Sequence, residues 1–327
     1  MKKNFFEKKA TATETPICFI TDDKYLMPTS VAITSLCKNK APDSCYKIFI
    51  LTSGLSKKSK EIVSKLRFHK CIIEIVEVEP NSEYENISSE NKHVSSQALY
   101  KFTLANIFRE YDKLLYLDGD VIVQHDLSEL LETKLLNNYA AVVKDYRAIV
   151  SEPNPETFLP INNSSYFNSG VMLLNLRLLR EESVKDKLLN YRIHGINHFM
   201  DQDALNVVFS GRVLYLPIQY NAMYSTLSHF PVSDICRYYG IDFRENIDEL
   251  CEQACILHYC SPTKPWRYLD SWQANLWYRY YKKSPFKHVA LSRTTRNSQI
   301  EKVERDRESE FSKAIRTLFK RIHQTRR

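Results

Sequence analysis

The sequence predicts an α/β protein, a mainly parallel sheet with helices on both faces, followed by a basic helical tail. Short apolar, β-branched runs alternate with stretches patterned like helices, the arrangement in which crossover helices join parallel strands. One of those runs, Leu114 to Val123 (LLYLDGDVIV), carries Asp118-Gly119-Asp120 in otherwise apolar sequence. The charge is unevenly placed as well. From Lys287 onward there are 12 Lys and Arg against 5 Asp and Glu, a surplus equal to the +7 of the whole chain. The body before it is therefore close to neutral, and the basicity belongs to the tail.

Ile17 to Thr21 (ICFIT) reads as the first strand, and the Asp22-Asp23 pair after it has two readings. Acids just beyond a first strand commonly face a ligand at the carboxyl edge of an α/β sheet. Asp is also a good cap for the helix patterned over Pro28 to Leu36, and the two roles can be divided between the two aspartates. Tyr46 to Leu51 (YKIFIL) gives the second strand. Ser56 to Leu66 is a capped, Lys-rich helix with Ile62, Val63 and Leu66 on one face, and Cys71 to Val76 is the third strand. Pro80 to Lys92 is polar and reads as a loop. Ala98 to Phe108 (ALYKFTLANIF) is a helix leading into Leu114 to Val123. Asp126 to Glu132 is a short capped helix, and Ala140 to Val143 another strand.

Tyr166-Phe167-Asn168-Ser169-Gly170 reads either as a polar turn before the apolar strand Val171 to Leu176 or as a small-residue segment that a sugar could approach closely. Met200 to Asn206 (MDQDALN) begins a helix; so many polar groups in its first turn suggest a ligand-facing end, although Asp201 or Gln202 could be simple capping groups. Cys255 to Leu257 is a short buried strand that delivers His258. The loop from His258 to Trp266 (HYCSPTKPW), stiffened by Pro262 and Pro265, adds Lys264.

A chain of 327 residues can bury a large core, and no apolar run approaches the length of a membrane span. The N-terminus, MKKNFFEKKATATETP, lacks the apolar core of a signal peptide, so a cytoplasmic location with the eight cysteines as thiols is expected. Two carboxylates ending a buried strand are costly unless a cation or a hydrogen-bond network receives them. With only glycine between them, the fitting partner is a hard divalent metal. An Asp-Gly hairpin turn is the plainer explanation, and Asp-x-Asp recurs at Asp201 and Asp203.

The six glycines, at 54, 119, 170, 195, 211 and 240, are too scattered for a G-x-G-x-x-G loop or a P-loop. A nucleotide bound here would have its diphosphate held by a metal and side chains. His258 offers an imidazole ligand for such a metal, and Lys264 a phosphate-neutralising charge. Cys251, Cys255, His258 and Cys260 look like a zinc set, but the spacing fits none of the common finger patterns and no second ligand pair stands at the usual distance.

Together ICFITDD, LYLDGD, YFNSG, DQDALN and HYCSPTKPW, in that order from Ile17 to Trp266, resemble glycosyltransferase family 8. These are retaining enzymes of the GT-A fold, a Rossmann-like sheet flanked by helices, and include bacterial lipopolysaccharide and lipo-oligosaccharide α-galactosyl- and α-glucosyltransferases. The resemblance implies that Asp118, Asp120 and His258 bind Mn²⁺ (or Mg²⁺), which bridges the UDP diphosphate of UDP-galactose or UDP-glucose. It implies that Thr21, Asp22 and Tyr25 hold the uridine, with Tyr25 stacked on the base. Asn168, Ser169, Asp201 and Gln202 would face the donor sugar, Lys264 the diphosphate, and His93 would lie near donor and acceptor. Gln202, Asp120 and Lys264 are the expected catalytic residues. Lys101 stands where the family usually has arginine, keeping the charge without the bidentate fork. Ser261 replaces a usual glycine and Lys24 a commoner asparagine.

By this reading residues 1–14 are an extension, 15–286 the catalytic domain and 287–327 a basic tail. In that tail Phe311, Ile315, Leu318, Phe319 and Ile322 share one helical face, with Lys313, Arg316, Lys320 and Arg321 on the remainder. That pattern fits an anionic membrane surface, and peripheral association there fits a lipid-linked or surface-glycan acceptor. The rival readings are a protein-directed or self-glucosylating transferase and a zinc-bound nucleic-acid module; no nucleic acid is expected on the main reading.

Overall fold

The computed structural model describes residues 15–79, 96–150, 159–161, 163–196, 199, 201–242, 244–291 and 295. The 1–14 extension, His93, the polar loop before it and the amphipathic stretch of the tail lie outside the described residues. Two compact units are present, Met1–Ser261 with Tyr280–His288, and Pro262–Arg279 with Val289–Arg327.

Among the described residues the first unit holds ten strands: β1 (Ile17–Ile20), β2 (Tyr46–Thr52), β3 (Cys71–Glu77), β4 (Lys113–Leu117), β5 (Val121–Val123), β6 (Ala140–Lys144), β7 (Phe167–Asn175), β8 (Val213–Tyr215), β9 (Ala222–Met223) and β10 (Ile256–His258). Seven form one sheet in the order β3-β2-β1-β4-β7-β6-β8, and three form a small sheet in the order β5-β10-β9. In the large sheet only β7 runs against its neighbours β4 and β6. The other pairs are parallel. β1 throughout, and β4 beyond Lys113, are apolar because both faces are covered. Alternate residues enter two cores: Ile17, Phe19, Leu115 and Leu117 face helix α1 (Leu26–Asn39), whereas Cys18, Leu114 and Tyr116 face the layer that contains Leu104, Leu176 and Leu205.

Three expectations are corrected. Tyr166 to Gly170 is not a turn before a strand. Strand β7 begins at Phe167, all nine of its residues are buried, and Leu176 already starts a helix capped by Asn175 Oδ1 on Leu178 N. Polar residues survive inside this strand because neighbouring side chains satisfy them. Ala98 to Phe108 is not one α-helix: residues Ser96–Thr103 wind as a 3₁₀ stretch before Leu104–Ile107 becomes α-helical. Such tighter winding often marks a strained or functional stretch, and Lys101 lies within it.

Asp126, expected simply to cap a helix, is instead a junction. Its Oδ2 accepts from Ser128 N (2.9 Å), while Oδ1 accepts from Ala41 N (2.7 Å), Ser44 Oγ (2.9 Å) and Tyr46 Oη (2.8 Å). Burial opposes the charge, but the bonds from Ser128, Ala41 and Tyr46 outweigh it and hold the carboxyl well below the usual carboxylate range. Its folded pKa lies below its unfolded one, so its contribution is present above the unfolded value and is lost as pH falls toward the folded one. Asp126→Asn is expected to cost about 1–3 kcal/mol at neutral pH. The deficit should narrow as pH drops below about 4; urea unfolding across that range measures it.

Candidate functional site

The chain leaves β1 toward β2 and β3, then returns to β1's other side as β4. Where strand order reverses in this way, the carboxyl ends of the two central strands border a crevice. Thr21 and Asp22 follow β1 there, and Asp118 follows β4. The two aspartates after β1 divide their work. Asp22 Oδ1 accepts Tyr25 N (2.7 Å) at the entry to α1, whereas Asp23 binds Ser56 N at 3.1 and 3.2 Å and ties down the loop after β2. Thr29 Oγ1 reaches Thr21 Oγ1 at 3.0 Å. A Cβ on Gly119 would lie 2.4 Å from Thr29 Oγ1 and 3.1 Å from Tyr25 Cδ1. Glycine between the two aspartates is therefore a packing requirement that lets the Tyr25 ring lie against the Asp118–Asp120 turn.

Strand β10 pairs with β5 so that His258 stands opposite Val121, one residue past Asp120. One ligand atom from each of Asp118, Asp120 and His258 falls within 4.8 Å of the others. His258 Nε2 is 3.3 Å from Asp120 Oδ1 and 3.7 Å from Asp118 Oδ2. The hydrogen-bond network sets the tautomer. Gly170 N donates to Asn168 Oδ1 (3.0 Å), which also receives Asn221 Nδ2 (2.9 Å), so Asn221 presents its Oδ1 to His258 Nδ1 (3.0 Å). The imidazole proton thus belongs on Nδ1, leaving the Nε2 lone pair aimed at two carboxylate oxygens. Three lone-pair donors meeting in this way fit a divalent cation, with positions left for outside oxygens. Gly170 makes the approach possible, because a Cβ there would lie 2.2 Å from His258 Cε1 and 2.7 Å from Asp118 Oδ2. The pairing of β6 with β7 also shifts register beside this glycine, from Val142↔Met172 to Val143↔Asn168. Such irregularities re-aim side chains next to sites.

A second charge cluster adjoins the first. Lys101 Nζ is buried against Asp201 Oδ2 (2.9 Å) and Asp118 Oδ1 (3.2 Å), and 4.8 Å from the Tyr116 ring centre. Burial alone would lower its pKa, but the Asp118 and Asp201 carboxylates prevail and hold the ammonium above the ordinary lysine range. Tyr116 Oη donates to Asp118 Oδ1 (2.5 Å), and burial followed by the Asp118 charge keeps that phenol protonated. Asp118 is thus oriented by a phenol and an ammonium through Oδ1, with Oδ2 turned toward His258.

The helix Gln202–Val208 supplies the opposite wall. Asp201 Oδ2 accepts from Ser169 Oγ (2.9 Å). Gln202 Oε1 accepts from Asn168 Nδ2 and Ser169 N, both at 3.1 Å, while its Nε2 donates to Tyr166 Oη (3.2 Å). Asp203 takes the Tyr166 hydroxyl and the backbone of Phe199, and Asn206 brackets Phe167 N and O. Asp201 makes no side-chain cap bond, so its carboxylate serves the site and not the helix end.

Sequence reasoning missed Tyr116, Asp145, Tyr166, Asn206 and Asn221 as site-forming side chains. Asp145 is buried at the carboxyl end of β6; burial raises its carboxyl above the usual range, against bonds from Ala148 and Gln202 and the nearby His258. A signal existed in AAVVKD, an acid ending an apolar strand as Asp118 does. Asn221 had none, since only the folded chain brings it to His258.

Lys264 belongs to the second unit, where its Nζ sits 5.8 Å from the Trp266 ring centre and Trp266 packs on Trp277. Among the described residues Asp118, Asp120 and His258 form the only group of three or more such ligands able to hold a metal, so the Cys251, Cys255 and Cys260 zinc set is not assembled. Cys260 instead meets Ser225 Oγ at 3.4 Å.

A family model described as Glycosyl transferase family 8 matches residues 16–270. The chain is 32% identical over 186 residues to a lipopolysaccharide 1,2-glucosyltransferase of Escherichia coli strain K12, covering 56% of this chain and 51% of that protein. It is 26% identical over 294 residues to another Escherichia coli lipopolysaccharide 1,2-glucosyltransferase, covering 85% and 81% of the two. Among solved structures it is similar to the galactosyltransferase LgtC in complex with donor and acceptor sugar analogs, with a TM-score of 0.69, 25% identity and coverage of 83% and 96%.

Proposed function

Because the chain belongs to glycosyl transferase family 8 and is a glycosyltransferase, we propose that it moves galactose or glucose from a UDP-sugar to a surface-glycan acceptor of the lipopolysaccharide-core kind, with retention. The lipopolysaccharide glycosyltransferases among its relatives support the acceptor class. The observation that carries the donor reading is the meeting of Asp118, Asp120 and His258 beside Gly170 at the sheet's crossover. Those three residues would hold Mn²⁺, or Mg²⁺ in its place. When bound, the metal supplies positive charge against the diphosphate as UDP departs.

The chain's own groups do the rest. Thr21, Asp22 and Tyr25 border the crevice and hold the uridine, with the Tyr25 ring as the stacking face. Asn168, Ser169, Asp201 and Gln202 position the donor sugar, and Lys264 neutralises phosphate charge. Gln202 is a poor nucleophile here because its amide oxygen already accepts two hydrogen bonds. That supports attack from the leaving-group face with Gln202 as an organising group. His93 remains the acceptor-side residue proposed from the family pattern. Among the described residues no helix is long and apolar enough to cross a membrane. We assign the protein to the inner face of the cytoplasmic membrane, through the basic tail and the lipid-linked acceptor.

The test is UDP release with a panel of UDP-sugars, with and without Mn²⁺. Release that depends on Mn²⁺ and favours UDP-galactose or UDP-glucose is expected. Release indifferent to Mn²⁺, or absent with every UDP-sugar, contradicts the reading, and label recovered on protein instead of a lipid-glycan fraction would redirect the acceptor.

A further inference from the structure

At the carboxyl ends of β6 and β8, beside Asp145, lies a group of aromatic rings that the reaction as described does not use. Lys144 Nζ rests 4.7 Å from the Tyr215 ring centre and 5.8 Å from that of Tyr238. Among the described residues it makes no ion pair. Tyr146 packs at a tilt against Tyr238 with centres 4.4 Å apart, and Tyr239 Oη fixes the strand end by donating to Lys144 O (2.8 Å). The Tyr238 hydroxyl is buried without a hydrogen-bond partner. Its phenol is pushed up to about 12, first by burial and then by Tyr215, Tyr146 and Asp145, so it stays a donor. A buried hydroxyl left unpaired costs about 1–3 kcal/mol, a cost that an outside acceptor would relieve.

The cluster is tied to the site on two sides. Lys144 ends β6 immediately before the buried Asp145. Tyr215 Oη donates to Ser165 O (2.7 Å), next to Tyr166, whose hydroxyl receives Gln202 Nε2. An ammonium on a flexible stem, a phenol lacking an acceptor and the exposed face of Tyr215 together suit a sugar that carries an anion. The ring covers the apolar C–H face of the sugar, and the two donors receive the anionic oxygens.

We propose that Lys144 and Tyr238 form an acceptor subsite for an anionic substituent, a phosphate or a carboxylate, on the acceptor glycan. The proposal rests on the transferase reading and names its acceptor as charged. Kinetics with a lipopolysaccharide core oligosaccharide test it, comparing the native acceptor with phosphatase-treated and carboxyl-reduced forms. Removing the relevant anion should raise the acceptor KM of the parent protein about tenfold, the size of one charge-assisted contact. The arm that does so identifies phosphate or carboxylate. Lys144→Met should show that raised KM with the native acceptor and lose sensitivity to the treatment, Lys144→Arg should regain it, and Tyr238→Phe should give part of the loss; the KM for UDP-sugar should hold throughout. Equal KM for all three acceptors, or a Lys144→Met protein that still distinguishes them, overturns the proposal. UDP-sugar hydrolysis by the parent without acceptor is the separate check on the transferase reading.

Discussion

Gly170→Ala is expected to disable the proposed metal site by one methyl group. The added Cβ would fall 2.2 Å from His258 Cε1 and 2.7 Å from Asp118 Oδ2. Neither neighbour can step aside easily. His258 is buried in β10 with Nδ1 bound to Asn221, and Asp118 N donates to Gly170 O at 2.8 Å. The glycine is needed for space and not for a left-handed backbone, since its φ is not among the positive ones. Overpacking a dense interior costs about 1–3 kcal/mol, which leaves a domain of this size folded. Mn²⁺ affinity should fall by about 100-fold or more, since both ligands must move. Calorimetric titration with Mn²⁺, paired with a urea melt, checks this; unchanged affinity in the folded variant would mean that the metal is held elsewhere.

Lys101→Met should act through stability first. Its ammonium compensates Asp118 and Asp201 in a buried setting, and removing one partner of such a cluster leaves uncompensated charge costing about 3–5 kcal/mol. Because Asp118 is also a proposed metal ligand, saturating Mn²⁺ should return part of the lost stability. Lys101→Arg keeps the charge and should lose less, limited by the fit of the larger guanidinium. Urea unfolding with and without Mn²⁺ measures both effects. A Met variant as stable as the parent would show that the pair of ion contacts does not carry the site.

The sheet was legible because its strands are short, apolar and bounded by polar punctuation, as in ICFIT and YKIFIL. The candidate metal ligands Asp118 and Asp120 were legible because acids ending a buried strand demand a partner. What escaped depends on pairing between distant segments. Tyr166 to Gly170 looks like a turn by composition, yet its polar side chains are met by Gln202, Asp201 and Asn221, and so the segment joins the sheet. The roles of Asp126 and Asn221 arise from residues about 80 and about 40 positions away, respectively, and no local pattern encodes such bonds. The 3₁₀ winding around Lys101 was also invisible, since an amphipathic pattern does not separate it from an α-helix. Glycine was read as missing from a phosphate loop, as a turn residue at Gly119 and as room for a sugar at Gly170, whereas both glycines leave room for other side chains.

UDP binding measured by titration calorimetry with and without Mn²⁺, on the parent and on Asp120→Ala, tests the central claim most directly. UDP should bind the parent tightly only when Mn²⁺ is present. In Asp120→Ala that metal-dependent gain should vanish while the thermal melt stays cooperative. UDP affinity that is the same with and without Mn²⁺, or a full metal-dependent gain in Asp120→Ala, would contradict a diphosphate site built on Asp118, Asp120 and His258.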